Sequence, residues 1–205
     1  MAIMPLFFKK DDEYYLNELV LQELDKNEDY RTFFMDVIES GLLKSQDYPE
    51  IFTLGQKYSR RDVIKLMNFA KDENPQNVGG YKIDKETNSC PIFITYHKSD
   101  DINESIKYED ELVNESLLYW FSKNKRKMTS PDVQSIVQSS KNDLRLELFV
   151  KKNDAEGGDF YYLGPLSYVE DSAEQIERSE GSVVSMLLRL QEPIKADLFH
   201  YLTSK

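Results

Sequence analysis

The stretch LRLELFVKK, residues 144–152, alternates apolar and polar side chains. This alternation predicts a β-strand that is buried on one face. Residues 159–163, DFYYL, follow after a turn rich in Asn, Asp and Gly, and they are the expected pairing partner. Residues 182–190 supply another apolar run of strand length. The C-terminal half of the chain is therefore predicted to fold around a β-sheet.

Upstream of this stretch, residues 81–83 and 91–97 predict a pair of strands joined by a turn at residues 84–88. Ser130 and Pro131 predict the start of a short helix, with serine as N-cap and proline at the first helical position. A last helix is expected at about residues 195–202. These segments make residues 57–205 a mixed, strand-rich domain.

The first 55 residues show helical rather than strand spacing of apolar side chains. One helix is predicted over residues 13–24 and another over residues 30–40, with Gly41 as its C-cap. Ser59 is the predicted N-cap of a third helix, whose apolar face consists of Val63, Ile64, Leu66 and Met67. The predicted class is α+β, with a helical linker or docking segment at residues 1–56.

The net charge of −11 is distributed unevenly. Residues 1–56 carry 5 basic and 12 acidic side chains, and residues 153–205 carry 4 and 10, whereas residues 57–152 carry 17 and 15. Charge alone favours an acidic protein without an anionic partner, but the middle segment is compatible with one face presented to DNA. A single cysteine, no apolar run of membrane-spanning length and no secretion-signal layout predict a cytoplasmic protein.

Motifs for independent catalysis are absent from the sequence. There is no Gly-rich phosphate loop and no Gly-x-Ser-x-Gly elbow. His97-Lys98 lacks the spacer of the His-x-Lys phosphodiesterase signature, and one cysteine with two histidines argues against a zinc site. We expect a non-catalytic module without a metal or cofactor.

Two segments could instead hold a base that has been turned out of a duplex. Such a base needs a flat apolar surface to stack on and an acceptor for its exocyclic amino group. Aromatic and polar side chains of these types gather at the end of the 91–97 strand and near residues 108–121. The candidate base-pocket residues are Tyr81, Thr95, Tyr96, His97, Tyr108, Asp110 and Trp120. The competing interpretation is that the aromatics are core and the polar residues are surface.

A cationic run at residues 122–127, SKNKRK, lies beside hydroxyl side chains and a predicted helix start. Such a run suits contacts to DNA phosphates, although it could also be a solubilising loop. The candidate DNA-backbone residues are Arg60, Arg61, Lys98, Ser122, Lys123, Lys125, Arg126, Lys127, Lys151 and Lys152.

Several strings in order resemble one bacterial domain, long classed as being of unknown function: YSRRDV (58–63), KDEN (71–74), GYKI (80–83), CPIFITYHK (90–98), SIKYED (105–110) and FYYLG (160–164). This domain lies at the C-terminus of large restriction enzymes of the SauUSI type, which attack DNA containing 5-methylcytosine. The resemblance runs from about residue 58 to residue 202. It assigns no pocket residue by itself.

The resemblance implies a target-recognition module, similar in role and in fold to the base-flipping SRA domains. The sheet would then be twisted or form a partial barrel. Methylated double-stranded DNA, and the helicase and phospholipase-D-like nuclease modules of a parent protein, are the implied partners. One alternative is a regulatory module that docks on a helicase without touching bases, and another is a small independent nuclease.

Overall fold

The structure, a computed structural model, describes residues 6–11, 13–47, 50–69, 78–97, 110–179 and 181–204. The chain forms two compact units, Met1–Glu50 and Ile51–Lys205. Residues 51–56, which the sequence places in the helical segment, belong to the second unit. The ring of Phe52 accounts for this, because it packs 5.1 Å from the ring centroids of both Phe149 and Tyr162.

The first unit begins with strands rather than with a helix. Strand β1 (Phe7–Lys10) pairs antiparallel with β2 (Glu13–Leu16), and helices α1 (Glu18–Leu24) and α2 (Glu28–Asp47) follow. The helix predicted from residue 13 is therefore wrong in its first turn. Asn17 starts α1 instead, since its side chain accepts a hydrogen bond from the Leu19 amide at 3.0 Å. The C-cap predicted at Gly41 is also wrong, because α2 continues through this glycine.

The second unit is built on one mixed sheet with helices around it. Its elements are β3 (Lys57–Ser59), α3 (Arg60–Leu66), β4 (Ser89–His97), β5 (Glu111–Asn114), β6 (Leu117–Phe121), α4 (Pro131–Val137), α5 (Ser139–Asn142), β7 (Arg145–Asn153), β8 (Asp159–Tyr168), β9 (Glu174–Arg178), β10 (Gly181–Leu190) and α6 (Ala196–Thr203). The strand order is β4-β7-β8-β10-β6-β5, with β3 beside β8 and β9 beside β10. Strands β4 and β7 are parallel, and the other pairs are antiparallel. The predicted α+β class is confirmed.

The strands that the sequence predicts most strongly form the middle of this sheet. The 144–152 stretch is β7, and its predicted partner is β8. The apolar run at residues 182–190 lies within β10. The pairing expected between residues 81–83 and 91–97 shrinks to two bridges, one from Tyr81 to Ile92 and one from Asp84 to Ser89.

The prediction that the 144–152 strand is buried on one face is wrong, because both faces of β7 are buried, each against a different core. Leu146, Leu148 and Val150 face the larger core, which also contains residues of β4, β6, β10 and α4. Phe149 faces a smaller aromatic core that includes Phe160. Helix α3 closes this second core through Val63, Ile64 and Met67, whereas Leu66 is 46% exposed. Ser59 caps α3 as predicted, by accepting from the Asp62 amide at 3.1 Å.

Cys90 lies on β4 within the larger core. It is fully buried, and burial raises the pKa of its thiol to about 12. In the described parts of the chain, no helix combines the length and the apolar character needed to cross a membrane.

Phe149→Ala should destabilise the second unit strongly. The Phe149 side chain is fully buried, and its ring lies 5.1–5.2 Å from the rings of Phe52, Phe93 and Tyr162. Removing such a ring leaves a cavity and costs about 3–5 kcal/mol. Urea unfolding, followed by the fluorescence of the single tryptophan, Trp120, measures the change.

Val113→Ala is the matched control, because this side chain is 49% exposed. Its effect should stay within about 0.5 kcal/mol. A Phe149→Ala protein as stable as this control would show that the aromatic core does not hold the unit together.

Candidate functional site

A cavity of about 420 Å³ lies where β4 and β6 approach one another. These strands are not hydrogen-bonded neighbours, since β7, β8 and β10 separate them in the sheet. The sheet must therefore curl to bring both strands to one cavity. The lining residues are Arg60, Gly79, Gly80, Tyr81, Phe93, Ile94, Thr95, Asp110, Trp120, Phe121, Ser122, Lys123 and Asn124.

The segment at residues 79–81 forms one wall through its backbone. Gly80 has a φ of +73°, a left-handed conformation that glycine adopts without strain. Its carbonyl accepts a hydrogen bond of 2.6 Å from the Phe93 amide, which fixes the segment to β4. The next residue, Tyr81, then points its ring toward β6, where the ring meets Trp120 edge-on at 5.0 Å.

Tyr81 and Trp120 border the cavity and also belong to the larger core, with exposures of 3% and 2%. Only part of each ring therefore faces the cavity. The Lys123 ammonium lies 4.6 Å from the centre of the Tyr81 ring, so it occupies much of one ring face. These two aromatic side chains shape the wall more than they offer open stacking surfaces.

Asp110 lines the cavity and lies immediately before β5. Its Oδ1 accepts a hydrogen bond of 3.0 Å from the Phe121 amide, and this bond holds the carboxylate beside β6. Thr95 also lines the cavity, lies near the end of β4 and is half-buried. A carboxylate and a hydroxyl at the edge of a partly apolar cavity can accept hydrogen bonds from an amino group.

The cationic run at residues 122–127 is not uniform in the structure. Lys125 and Lys127 are exposed, whereas Lys123 lines the cavity and is half-buried. Burial lowers the pKa of Lys123, and the neighbouring Arg126 lowers it further. Ser122 was expected to contact DNA, but it is 1% exposed and its Oγ accepts a hydrogen bond of 2.9 Å from the Val184 amide. Its side chain therefore joins β10 to the strand end at β6.

Asp132, which the sequence analysis did not single out, connects the cationic run to the cavity wall. Its Oδ2 accepts hydrogen bonds from the Tyr81 hydroxyl at 2.8 Å and from Arg126 Nε at 2.6 Å. Burial acts to raise the pKa of Asp132, but these two hydrogen bonds outweigh burial, and the pKa lies below its ordinary value. Arg126 is thus engaged within the protein. The feature of the sequence that could have pointed to Asp132 was its place in the helix-start sequence Ser130-Pro131-Asp132.

Arg60 lines the cavity from the side of α3. Its guanidinium lies over the rings of Phe160 and Phe93, at 4.6 and 5.3 Å from their centres. Partial burial lowers the pKa of this guanidinium. Its neighbour Arg61 is exposed and does not line the cavity.

Tyr96 and His97 are not among the residues that line the cavity. Successive side chains of a strand point to opposite faces, so Thr95 at the cavity leaves Tyr96 to pack against the larger core. His97 lies nearer the end of β4, where its Nε2 is 3.0 Å from the Ser204 carbonyl oxygen. The candidates Tyr108 and Lys98 lie outside the described residues.

Lys151 and Lys152 were expected to contact DNA phosphates, but both side chains form contacts within the protein. Lys151 is 6% exposed, and its ammonium donates to the Gly157 carbonyl at 3.0 Å and pairs with Asp154 at 2.8 Å. Lys152 Nζ donates to Ser204 Oγ at 3.1 Å. Both ammonium groups are therefore bound to nearby parts of the same unit. The expected run of cations along this strand end does not form an open surface.

The fold and the site define an α+β domain with one mixed cavity between non-adjacent strands. The chain belongs to the family described as "Domain of unknown function (DUF3427)", whose model matches residues 52–202. No protein of curated function gives a sequence match.

Among solved structures, the SUVH5 SRA domain in complex with hemi-methylated CG DNA aligns with a TM-score of 0.47 and 12% identity, over 70% of this chain and 92% of that one. Arabidopsis thaliana SUVH6 in complex with SAM aligns with a TM-score of 0.48 and 15% identity, over 75% of this chain and 29% of that one. The DNA modification-dependent restriction endonuclease AspBHI aligns with a TM-score of 0.42 and 11% identity, over 69% of this chain and 41% of that one.

Asp132→Asn should lower stability at neutral pH by about 1–3 kcal/mol, because two donors lose a charged acceptor. The folded pKa of Asp132 is below its ordinary 3.8, so the stabilisation is present above that value and is lost as the pH falls through the folded pKa. The difference between wild type and variant should therefore shrink with acidification. Urea unfolding from neutral pH down to about pH 2, well below the ordinary value of 3.8, measures it.

Glu192→Gln removes one negative charge at an exposed position, and as the control it should change the free energy of unfolding at neutral pH by no more than about 0.5 kcal/mol. An Asp132→Asn protein with wild-type stability at neutral pH would exclude a structural role for the two hydrogen bonds.

Proposed function

We propose that this chain recognises DNA carrying a modified cytosine, with 5-methylcytosine as the first candidate. It acts as the target-recognition module of a modification-dependent restriction enzyme. The observation that carries the proposal is the 420 Å³ cavity, which combines aromatic, carboxylate and cationic side chains. The resemblance of residues 58–202 to SauUSI-type enzymes supports the choice of the methylated base. Cleavage and ATP hydrolysis would then belong to nuclease and helicase modules of the parent protein.

A base stacked within a duplex cannot enter a cavity, so binding there requires the base to be flipped out. The volume falls in the lower part of the range of ligand pockets, which suits a single base. Phe93 and Trp120 give the cavity apolar surface, and Asp110 offers acceptor oxygens to an exocyclic amino group. The chemistry of the lining therefore matches cytosine better than thymine, which presents a carbonyl at that position.

A closed cavity also matters for detecting one methyl group. Complete burial of a methyl group is worth roughly 0.8 kcal/mol, or about a fourfold preference. An open groove contact buries less of the methyl group than this. A cavity that encloses the ring adds a penalty for any base that fills it poorly or leaves polar groups without hydrogen bonds. This penalty increases the difference in affinity between methylated and unmethylated cytosine. Selectivity above fourfold therefore depends on the closure between β4 and β6.

The exposed members of the cationic run, Lys125 and Lys127, suit the DNA backbone beside the cavity. They precede Ser130, which begins α4, and they lie in a chain whose net charge is −11. An acidic protein binds DNA only where cations are concentrated locally. This run supplies that concentration close to the cavity residue Lys123.

Asp110→Asn should abolish much of the preference for methylated DNA. The remaining amide oxygen can still accept from the Phe121 amide, whereas the new NH₂ group faces the amino group of the base as a second donor. An unsatisfied buried donor costs about 1–3 kcal/mol, so the Kd for methylated duplex should rise roughly 5- to 150-fold. Fluorescence anisotropy with matched duplexes that differ only in cytosine methylation measures this.

Asp143→Asn removes the same charge at an exposed turn and serves as the matched control. It should leave the ratio of the two Kd values unchanged. Normal discrimination by the Asp110→Asn protein would remove Asp110 from the base site. A wild-type chain without any preference for methylated duplex would overturn the proposed function.

Lys125→Gln combined with Lys127→Gln should weaken binding to methylated and unmethylated duplex alike, because phosphate contacts carry no sequence information. The slope of log K against log salt concentration should fall by about 0.9 for each lost contact. Lys141→Gln with Lys195→Gln changes the net charge equally at other exposed positions. If both pairs change the slope by the same amount, the 122–127 run does not contact DNA.

A second candidate function is docking on another module without base contacts. The exposed apolar side chains of α2 favour it, since Phe33, Val37 and Leu43 are 65–71% exposed. Such side chains on an acidic unit suit an interface with a protein partner such as a helicase. The methylation comparison separates the two functions, because a pure docking module shows equal affinity for both duplexes.

A further inference from the structure

Arg60 has surroundings that differ from those of an ordinary DNA-contacting arginine. Its guanidinium lies against the faces of Phe160 and Phe93, which belong to the smaller aromatic core. It also forms part of the cavity lining. The two rings are inclined to one another by 69°, and attraction to both of them opposes displacement of the cation. The side chain is therefore placed before any ligand arrives.

The Nε–H group of Arg60 is buried and has no hydrogen-bond partner among the described residues. Buried N–H groups in proteins are nearly always satisfied, and an exception calls for an explanation. The acidic side chain that interacts with this guanidinium, Asp154, acts through charge attraction. Such an attraction does not satisfy the hydrogen-bonding capacity of the Nε–H group. Arg60 also lines the cavity, so an acceptor oxygen of a bound ligand is a candidate partner for its guanidinium.

We infer that Arg60 donates from inside the cavity to an acceptor oxygen of the lodged nucleotide and thereby helps to select that nucleotide. This inference rests on the proposed function, and it moves Arg60 from the outer DNA backbone to the base site. The acceptor is either the 2-carbonyl oxygen of the pyrimidine or a non-bridging oxygen of the adjoining phosphate. Both are anionic or strongly polar acceptors that suit a guanidinium.

Lysine cannot replace arginine in this role. An ammonium group keeps the positive charge but lacks the planar fork of N–H donors that a guanidinium presents to an acceptor oxygen. Arg60→Lys should therefore weaken methylated-duplex binding by about tenfold, which corresponds to one charge-assisted hydrogen bond. Arg145→Lys is the matched control, because it makes the same change at an exposed position that does not line the cavity.

A structural role for Arg60 could also weaken binding, since the side chain packs on two core rings. A double-mutant cycle distinguishes the two cases, because it measures the coupling between one protein group and one DNA group. The full chain, as wild type, Arg60→Lys or Arg145→Lys, is titrated with three duplexes. The first carries 5-methylcytosine. The second carries the C-nucleoside of 2-amino-3-methylpyridine, which keeps the amino group, ring nitrogen and methyl group but lacks the 2-carbonyl. The third carries 5-methylcytosine with neutral methylphosphonate linkages on both sides.

Arg60→Lys should bind the natural methylated duplex more weakly than wild type does. On one of the two modified duplexes, Arg60→Lys and wild type should bind with nearly equal affinity, and that duplex identifies the acceptor as carbonyl or phosphate. The loss caused by Arg145→Lys should add to the losses caused by both DNA modifications. Additive losses for Arg60→Lys on both modified duplexes would overturn the inference and leave a packing role. That result differs from failure of the proposed function, in which wild type itself does not prefer methylated duplex.

Discussion

The carboxylate of Asp132 joins two segments that are far apart in the sequence. It accepts from Tyr81, in the segment that precedes β4, and from Arg126, in the run that follows β6. Strands β4 and β6 share no backbone hydrogen bonds, so side chains must hold the two walls of the cavity together. The edge-on contact of Tyr81 with Trp120 is the apolar part of the same connection. The width of the cavity thus depends on a few side-chain contacts at the start of α4.

Under the proposed function, this arrangement connects the two tasks of a DNA-recognition module, namely contact with phosphates and binding of a base. Arg126 belongs to the cationic run, and Tyr81 belongs to the cavity wall, so one carboxylate positions both. The exposed lysines of the run then lie on a backbone that is also anchored through Ser122 to β10. A rigid link between a phosphate-contacting run and a base cavity lowers the conformational entropy that binding would otherwise lose.

Much of the sheet could be predicted from the sequence because its central strands carry a strong local signal. Alternation in β7 and the apolar run of β10 are such signals, and the cap of α3 at Ser59 is another. The errors came where local propensity was ambiguous. Glu13–Leu16 has both helical spacing and enough aromatic content for a strand, and pairing with β1 decides it. Gly41 stays helical because a glycine alone does not end a helix.

The site was predictable in its residue types but not in its geometry. Thr95, Asp110 and Trp120 do line one cavity. The sequence does not reveal which of two consecutive strand residues faces the cavity, and Tyr96 therefore appeared equivalent to Thr95. Asp132 and the inward position of Arg60 were missed because both depend on contacts between distant segments. Such contacts leave no periodic signal along the chain.

The buried thiol of Cys90 allows local opening of this unit to be measured through the rate of a chemical reaction. It is the single cysteine of the chain, it lies on β4, and its pKa of about 12 leaves almost no thiolate at neutral pH in the folded state. Labelling by a thiol reagent therefore requires β4 to open away from the core. The labelling rate reports the opening equilibrium of the strand that carries one wall of the cavity. A ligand that closes β4 onto β6 would appear in this measurement as slower labelling, without any probe attached to the ligand or to the protein.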